Sequence, residues 1–311
     1  MLSRIAESLF WIGRYLERAE DTSRLLEVHL TLLLEDPVVD EEATSEVLLR
    51  VMGIDGTASP DHQTVLQLLG WDETSLTSMV AAFYGARESA RRSRETVSLE
   101  MWEAVNTTWN MMRGNRLQHV PAHRACQLVR ERCAVVGGIA DTTMTHDEGW
   151  QYMMLGRQLE RVDMTSRIIE SAAYNADSPY AWTQTLRACG AHHAFIRTYR
   201  GAATDAQAAE FLLLDRLFPR SVLVSLQAAE EALALLDTAG GGGRRSGLTG
   251  EAVRALGRAR AELEFGSLEE TMADLPERMS RLQRTCSAVN DTVSDHYFDG
   301  AGQSVWRAGV R

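Results

Sequence analysis

The 311-residue chain contains no lysine: all 32 of its basic residues are arginine. That absence removes Schiff-base chemistry, a phosphate-loop lysine and modification at a lysine ε-amine. Long apolar runs are missing too. The longest, around Leu30 to Leu34 and Phe211 to Leu214, fall far short of the roughly 20 residues that span a bilayer, so no membrane segment is expected. The opening stretch MLSRIAESLFWIGRYLERAE places arginines and an acid inside any signal-like apolar region and shows no small-residue cleavage pattern, which predicts a cytoplasmic protein.

Reactive groups are scarce as well. The four cysteines, Cys126, Cys133, Cys189 and Cys286, have no C-x-x-C spacing and no histidine set for zinc, so reduced, buried thiols are expected. None of the eight histidines stands three residues after a Glu or Asp, the spacing that a di-iron helical bundle requires. His192 and His193 read as surface or core residues rather than bases. No serine lies in a G-x-S-x-G elbow. A net charge of −11 opposes nonspecific binding to nucleic acid, which depends on a basic face. Sustained alternation with β-branched residues is lacking, so strands are not expected. No cofactor is predicted.

What is present is a repeat. IGRYLERAEDTSRLLE, from Ile12 to Glu27, returns as LGRQLERVDMTSRIIE from Leu155 to Glu170, with nine of sixteen aligned positions identical. Solenoid units run about 20 to 50 residues, so a period this long points to a duplicated half-domain. Ile12, Leu16, Ala19, Ser23, Leu26, Leu30 and Leu33 follow helical spacing and predict a core-facing stripe. Gly13, Glu17, Glu20, Arg24 and Glu27 form a carboxylate-rich edge along its flank, and Gly156, Glu160, Asp163, Arg167 and Glu170 reproduce it. Arg14 and Arg18, with their counterparts Arg157 and Arg161, are expected toward the opposite flank. The glycines offer a place where another backbone comes close, against a helix cost of about 0.8 to 1 kcal/mol relative to alanine. The two repeat helices are therefore expected to pack on each other near a pseudo-two-fold axis, each carboxylate finding an arginine.

The pattern predicts helices almost throughout: Ser3, as cap, to about Glu35 before Asp36-Pro37; Glu41 to Met52; Asp61 to Leu69, ended by Gly70; and Ser75 to about Met112 with a break near Gly85. Helices from His123 to Asp141 and His146 to Tyr174 follow. Later ones run from Ser178-Pro179 through Thr198, from Asp205 to Phe218, from Pro219 to Thr238, from Gly250 to Phe265 and from Ser267 to Phe298. Residues 240–247 read as a flexible glycine-rich linker. Arg87, Arg91, Glu95, Ser98 and Trp102 make a further polar stripe. The expected architecture is all-α, one domain over 1–311, a multi-helix bundle of two related halves, about 1–143 and 144–311, each with a long Glu-Arg helix.

At the Glu17-Arg18 and Glu160-Arg161 dipeptides the chain resembles the bacterial alpha-E family of all-helical proteins named for a glutamate-arginine motif. SRIAESLFWIGRYLERAEDTSRLL, SLEMWEAVN, GRQLERVDMTSRII and FLLLDRLFPRSV carry the likeness over nearly the full length. Family members are typically encoded beside, or fused to, circularly permuted ATP-grasp proteins, so the resemblance implies a protein partner that forms amide bonds, and a peptide-like ligand.

Three readings remain for the polar residues Glu17, Arg18, Glu20, Arg24, Glu160, Arg161, Asp163, Arg167, Arg14, Arg157, Arg87 and Arg91. They form the faces of an accessory or co-catalytic partner of such a ligase; or Glu17 and Glu160 work as general bases in an enzyme; or the residues pair with one another in an assembly scaffold that forms a homo-oligomer. Arg187 is a further candidate partner for the acids. A carboxylate-only magnesium or manganese site would meet Arg24 and Arg167, which repel a cation.

Overall fold

The computed structural model describes residues 1–75, 77–114, 116–175, 178–200, 204–239 and 249–298, and within these it is all-helical, without strands. The linker expected at 240–247 lies outside them. Fourteen α-helices are present among the described residues: α1 Ser3–Glu35, α2 Glu41–Val51, α3 His62–Val65, α4 Met79–Arg92, α5 Leu99–Met112, α6 Ala122–Thr143, α7 Glu148–Tyr174, α8 Ala181–Ala188, α9 His192–Tyr199, α10 Asp205–Leu214, α11 Val222–Ala239, α12 Thr249–Phe265, α13 Leu268–Ala273 and α14 Leu275–Tyr297.

Local chemistry sets most of the boundaries. Proline disfavours helical backbone in the residue before it, and Asp36, preceding Pro37, is extended and ends α1. The side chains of Asp40, Ser78, Ser98, Asp147 and Thr204 each accept a backbone N–H of the first turn of α2, α4, α5, α7 and α10. Such caps contribute about 1 kcal/mol each. Ser3 is not a cap: it is already helical, Leu2 precedes it, and no side chain caps α1.

Other boundaries differ from the sequence expectation. The chain passes through Gly70 in a π-helical turn, Leu66–Trp71, and stops at Asp72 instead. Gly85 does not interrupt α4; it lies inside the helix against the ring of Tyr15. The break falls later, where Ser93 ends α4 and Ser98 caps α5. Gly190, with a positive φ, separates α8 from α9, and Asp274 separates α13 from α14.

The two repeat helices are the centre of the molecule. α1 packs against α7, α4 and α6, while α7 packs against α1, α11 and α14; α5 and α12 close the outside. At the crossing, a Cβ on Gly13 would stand 2.0 Å from the Met153 carbonyl oxygen, and one on Gly156 would stand 2.0 Å from that of Phe10. No side chain fits there. Backbone meets backbone, as the paired glycines predict.

Surrounded on several sides, α1 buries much more than a stripe. Ile12, Ala19, Ser23 and Leu26 are buried as expected, but so are Arg14, Glu17, Arg18, Glu20 and Asp21, while Leu16, Leu30 and Leu33 are only half-buried. A helix enclosed all round is usually apolar. Here Arg14, Glu17 and Arg18 have partners on α7, while Glu20 and Asp21 are held by Arg24 and Arg220.

Contacts recur at a fixed spacing. Ser78 caps α4 and its hydroxyl donates to the Asp72 carbonyl at 2.5 Å; Ser221, 143 residues later, accepts from Val224 in the first turn of α11 and donates to the Asp215 carbonyl at 2.6 Å. The same spacing separates Gly13 from Gly156.

Two glycine substitutions test the crossing. Gly156→Ala should destabilise the protein at or beyond the upper end of the roughly 1–3 kcal/mol typical of overpacking, because the added atom meets a carbonyl that cannot swing away. Gly138→Ala, on an exposed helical position with nothing within 4 Å of the new atom, should stabilise by about 0.4–1 kcal/mol. Urea unfolding of both variants measures this contrast.

Candidate functional site

The carboxylates of the repeated motif exchange partners across the crossing. Glu160 on α7 accepts from Arg14 Nε at 2.6 Å and Arg18 Nε at 2.5 Å, both on α1. Glu17 on α1 accepts from Arg161 through two bonds, Nε at 2.6 Å and a terminal nitrogen at 2.8 Å, and pairs with Arg157 Nε at 3.4 Å. Each glutamate is thus held by the arginines one position after it and three positions before it in the opposite copy of the motif. Arg14 and Arg18 do not lie away on an opposite flank as the helical spacing suggests. Close approach of the backbones brings long arginine side chains onto the neighbouring helix.

Neither glutamate sees solvent: Glu17 is 1% exposed and Glu160 0%. Burial pushes the Glu17 carboxyl up, but Arg161, Arg220 and Arg157 more than offset it and hold it well below the usual carboxylate range. Glu160 is also lowered: burial opposes, and Arg18 and Arg14 prevail. Both stay ionised.

Around this exchange the cluster is uneven. Arg220, at the entry to α11, pairs with Glu17 at 3.0 Å, with Glu20 at 3.2 Å and with Asp21. Glu20 is also held by Arg24 at 2.8 Å. On the other side Asp163 pairs with Arg167 at 2.9 Å, and Arg167 donates to the Val51 carbonyl at 2.8 Å. Met164 and Thr77 stand where the 143-residue spacing would place counterparts of Asp21 and Arg220. Arg14 donates to Asn290 at 2.8 Å. Its counterpart Arg157 lies against Gly137 and is 30% exposed at the side chain, against 4% for Arg14.

Asp21 is the strained member. It is 1% exposed, and Oδ2 has no hydrogen-bond partner among the described residues. Burial pushes its carboxyl up to about 7; Arg220 lowers it, while Glu17 and Glu20 add to the rise.

The remaining candidates lie elsewhere. Arg87 and Arg91 do not reach the central acids: both pair with Glu88, and Arg87 and Arg94 lie over the ring of Trp102 at 5.8 and 5.4 Å on the α4–α5 surface. Arg187 pairs with Glu35 at 3.4 Å. Glu27 is held by Arg130, whereas Glu170 accepts from Gln283 at 2.7 Å and from Tyr174. His193 is exposed and His192 half-buried. All four cysteines are buried and unlinked, and burial pushes the thiols of Cys126 and Cys189 up to about 12, so neither supplies a thiolate near neutral pH. Among the described residues no three His, Cys, Asp or Glu side chains are arranged to hold a metal ion.

Sequence reasoning missed Asp21, Asn290 and above all Arg220. The only available signal for Arg220 was its place in FLLLDRLFPRSV, one of the stretches that carry the family likeness.

Comparison with known proteins gives a consistent picture. Residues 1–298 match the Alpha-E family model, described as a predicted alpha-helical domain with a conserved ER motif. Uncharacterized proteins of Mycobacterium bovis and of two Mycobacterium tuberculosis strains are 26% identical over 97% of this chain. The chain spans 38% of the length of each of these relatives. No solved structure matches.

Two substitutions separate the roles within the cluster. Glu160→Gln leaves Arg14 and Arg18 buried against a neutral amide and should cost about 3–5 kcal/mol in urea unfolding. For Asp21 the sign is opposite. A carboxyl with a raised folded pKa binds its proton more tightly when folded, so its contribution is full below about pH 4, the unfolded value, and is lost as pH rises to about 7. The stability of the wild type relative to Asp21→Asn should therefore fall across that window, by at most about 1.4 kcal/mol per pH unit. Unfolding measured from pH 4 to 8 checks it.

Proposed function

Because the chain belongs to the alpha-E family, its model covering residues 1–298, we propose that it serves an amide ligase of the ATP-grasp type as an accessory or co-catalytic partner. The observation that carries this reading is the closure of the motif. Glu17 and Glu160, the acids a catalytic role would use, are sealed between α1 and α7 with their oxygens on arginine. A general base must reach its substrate and needs a pKa near the working pH. Both glutamates are out of reach and held ionised, so neither is a general base. The motif builds a rigid body, and the chemistry belongs to a partner.

Other features support the ligase reading without reaching it alone. The sequence lacks the lysine of a phosphate loop and any recognisable nucleophile motif. The relatives are more than twice the length of this chain, which suits a helical unit that works joined to something else. The contacts repeated at a 143-residue spacing support two related halves, about 1–143 and 144–311, meeting at the Glu-Arg helices. Among the described residues no helix is long and apolar enough to cross a membrane.

The test is a reconstitution. The isolated chain should neither hydrolyse ATP nor bind it tightly by calorimetry, and a ligase recovered with it from the native host should form amide bonds faster in its presence. Glu17→Gln should lower thermal stability without selectively abolishing that stimulation. Tight ATP binding by the isolated chain, or a co-purified ligase indifferent to it, would contradict the proposal.

A further inference from the structure

A groove of about 350 Å³ runs between α12 and α14. Pockets that hold ligands start at roughly 300 Å³, so this one is large enough to be occupied. The cavity beside His29, of about 60 Å³, is not. Small side chains open the groove: Ala255, Ala259 and Ala288 line it where larger residues would fill the space between the helices.

Its charge runs against that of the molecule. In a chain of net charge −11, the groove is lined by Arg258, Arg278, Arg281 and Arg284 and by a single acid, Glu262. These arginines are weakly committed. Arg278 and Arg281 stand 3.8 and 3.9 Å from their nearest acids, Glu270 and Glu262, and the pair Arg284–Glu277, at 2.6 Å, is exposed on both sides. Exposed pairs of this kind contribute little. Arg258 has no carboxylate partner among the described residues.

Nor do the arginines fill the core: Arg258, Arg281 and Arg284 are exposed and Arg278 is half-buried.

We infer that the α12–α14 groove binds an acidic polypeptide segment, whose carboxylates are taken by Arg258, Arg278, Arg281 and Arg284. Guanidinium groups match carboxylates in shape and bind them in pairs of hydrogen bonds. Arg278, Arg281 and Arg284 follow one another by a helical turn, so the row extends about 9 Å at 1.5 Å per residue. One small anion cannot satisfy it, whereas carboxylates spaced along an extended chain can. The site is separate from the sealed cluster and does not depend on the ligase reading.

Hexaglutamate titrated into the whole protein by calorimetry tests the assignment. Saturable one-to-one binding that weakens with salt is expected, with no comparable binding of hexaglutamine. Arg258→Gln combined with Arg281→Gln should weaken it at least tenfold while leaving thermal melting unchanged, and Arg278→Gln with Arg284→Gln should do the same from the other end of the row. Absence of saturable binding, or undiminished binding by both double variants, overturns the proposal. A linear hexaphosphate binding as tightly as hexaglutamate also overturns it, in favour of a phosphate site. Ligase stimulation is a separate readout, so either proposal can fail alone.

Discussion

The crossing of α1 and α7 depends on one constraint: two backbones in contact at Gly13 and Gly156 bury two glutamates with Arg14, Arg18 and Arg161, leaving only Arg157 partly open. Isolated charges there would be prohibitive, since desolvating an ion costs several kcal/mol even after relaxation. Reciprocal pairing offsets that cost, because each helix supplies the cations for the other's anion. Such a network contributes little net stability compared with an apolar core, but it specifies geometry. Sliding one helix along the other by a turn would separate every pair at once. The outer helices α4, α6, α11 and α14 pack on the pair so fixed.

The network is symmetric only at its centre. Asp21 and Arg220 occur on one side, with Met164 and Thr77 at the corresponding positions; Asn290 holds Arg14, while Gly137 leaves Arg157 partly open. Asp21 and Arg220 form an ion pair, and burial leaves an acid that titrates near neutrality at one flank of the crossing.

Much of this was legible in the sequence, and the reasons are physical. A repeated motif on a helical period gave the two central helices, their glycines gave the close approach, and Asp36-Pro37 gave the end of α1, whereas the one cap read from the sequence, Ser3, was wrong. The flank assigned to Arg14 and Arg18 was wrong because helical spacing fixes where a Cα lies, not where a long side chain ends. Once the axes are close, the neighbouring helix is within arginine's reach. The break expected at Gly85 was wrong because that glycine accommodates the Tyr15 ring inside a continuous helix. Arg220 was invisible for another reason: its partners lie about 200 positions away in the chain, and no local pattern encodes such a contact. Nor could sequence spacing distinguish a sealed cluster from an open site, which only the packing of α4, α6, α11 and α14 decides.

A double-mutant cycle on Glu17 and Arg161, the pair joined by two hydrogen bonds, tests the central claim most directly. Glu17→Leu and Arg161→Leu are made singly and together, and unfolding free energies are measured at neutral pH. If the reciprocal pairs hold the crossing, each single change strands a buried charge. The double variant should then lose less than the sum of the singles, by an interaction energy on the order of 2 kcal/mol. Additive losses would show that the two residues do not act through each other, and would contradict the account.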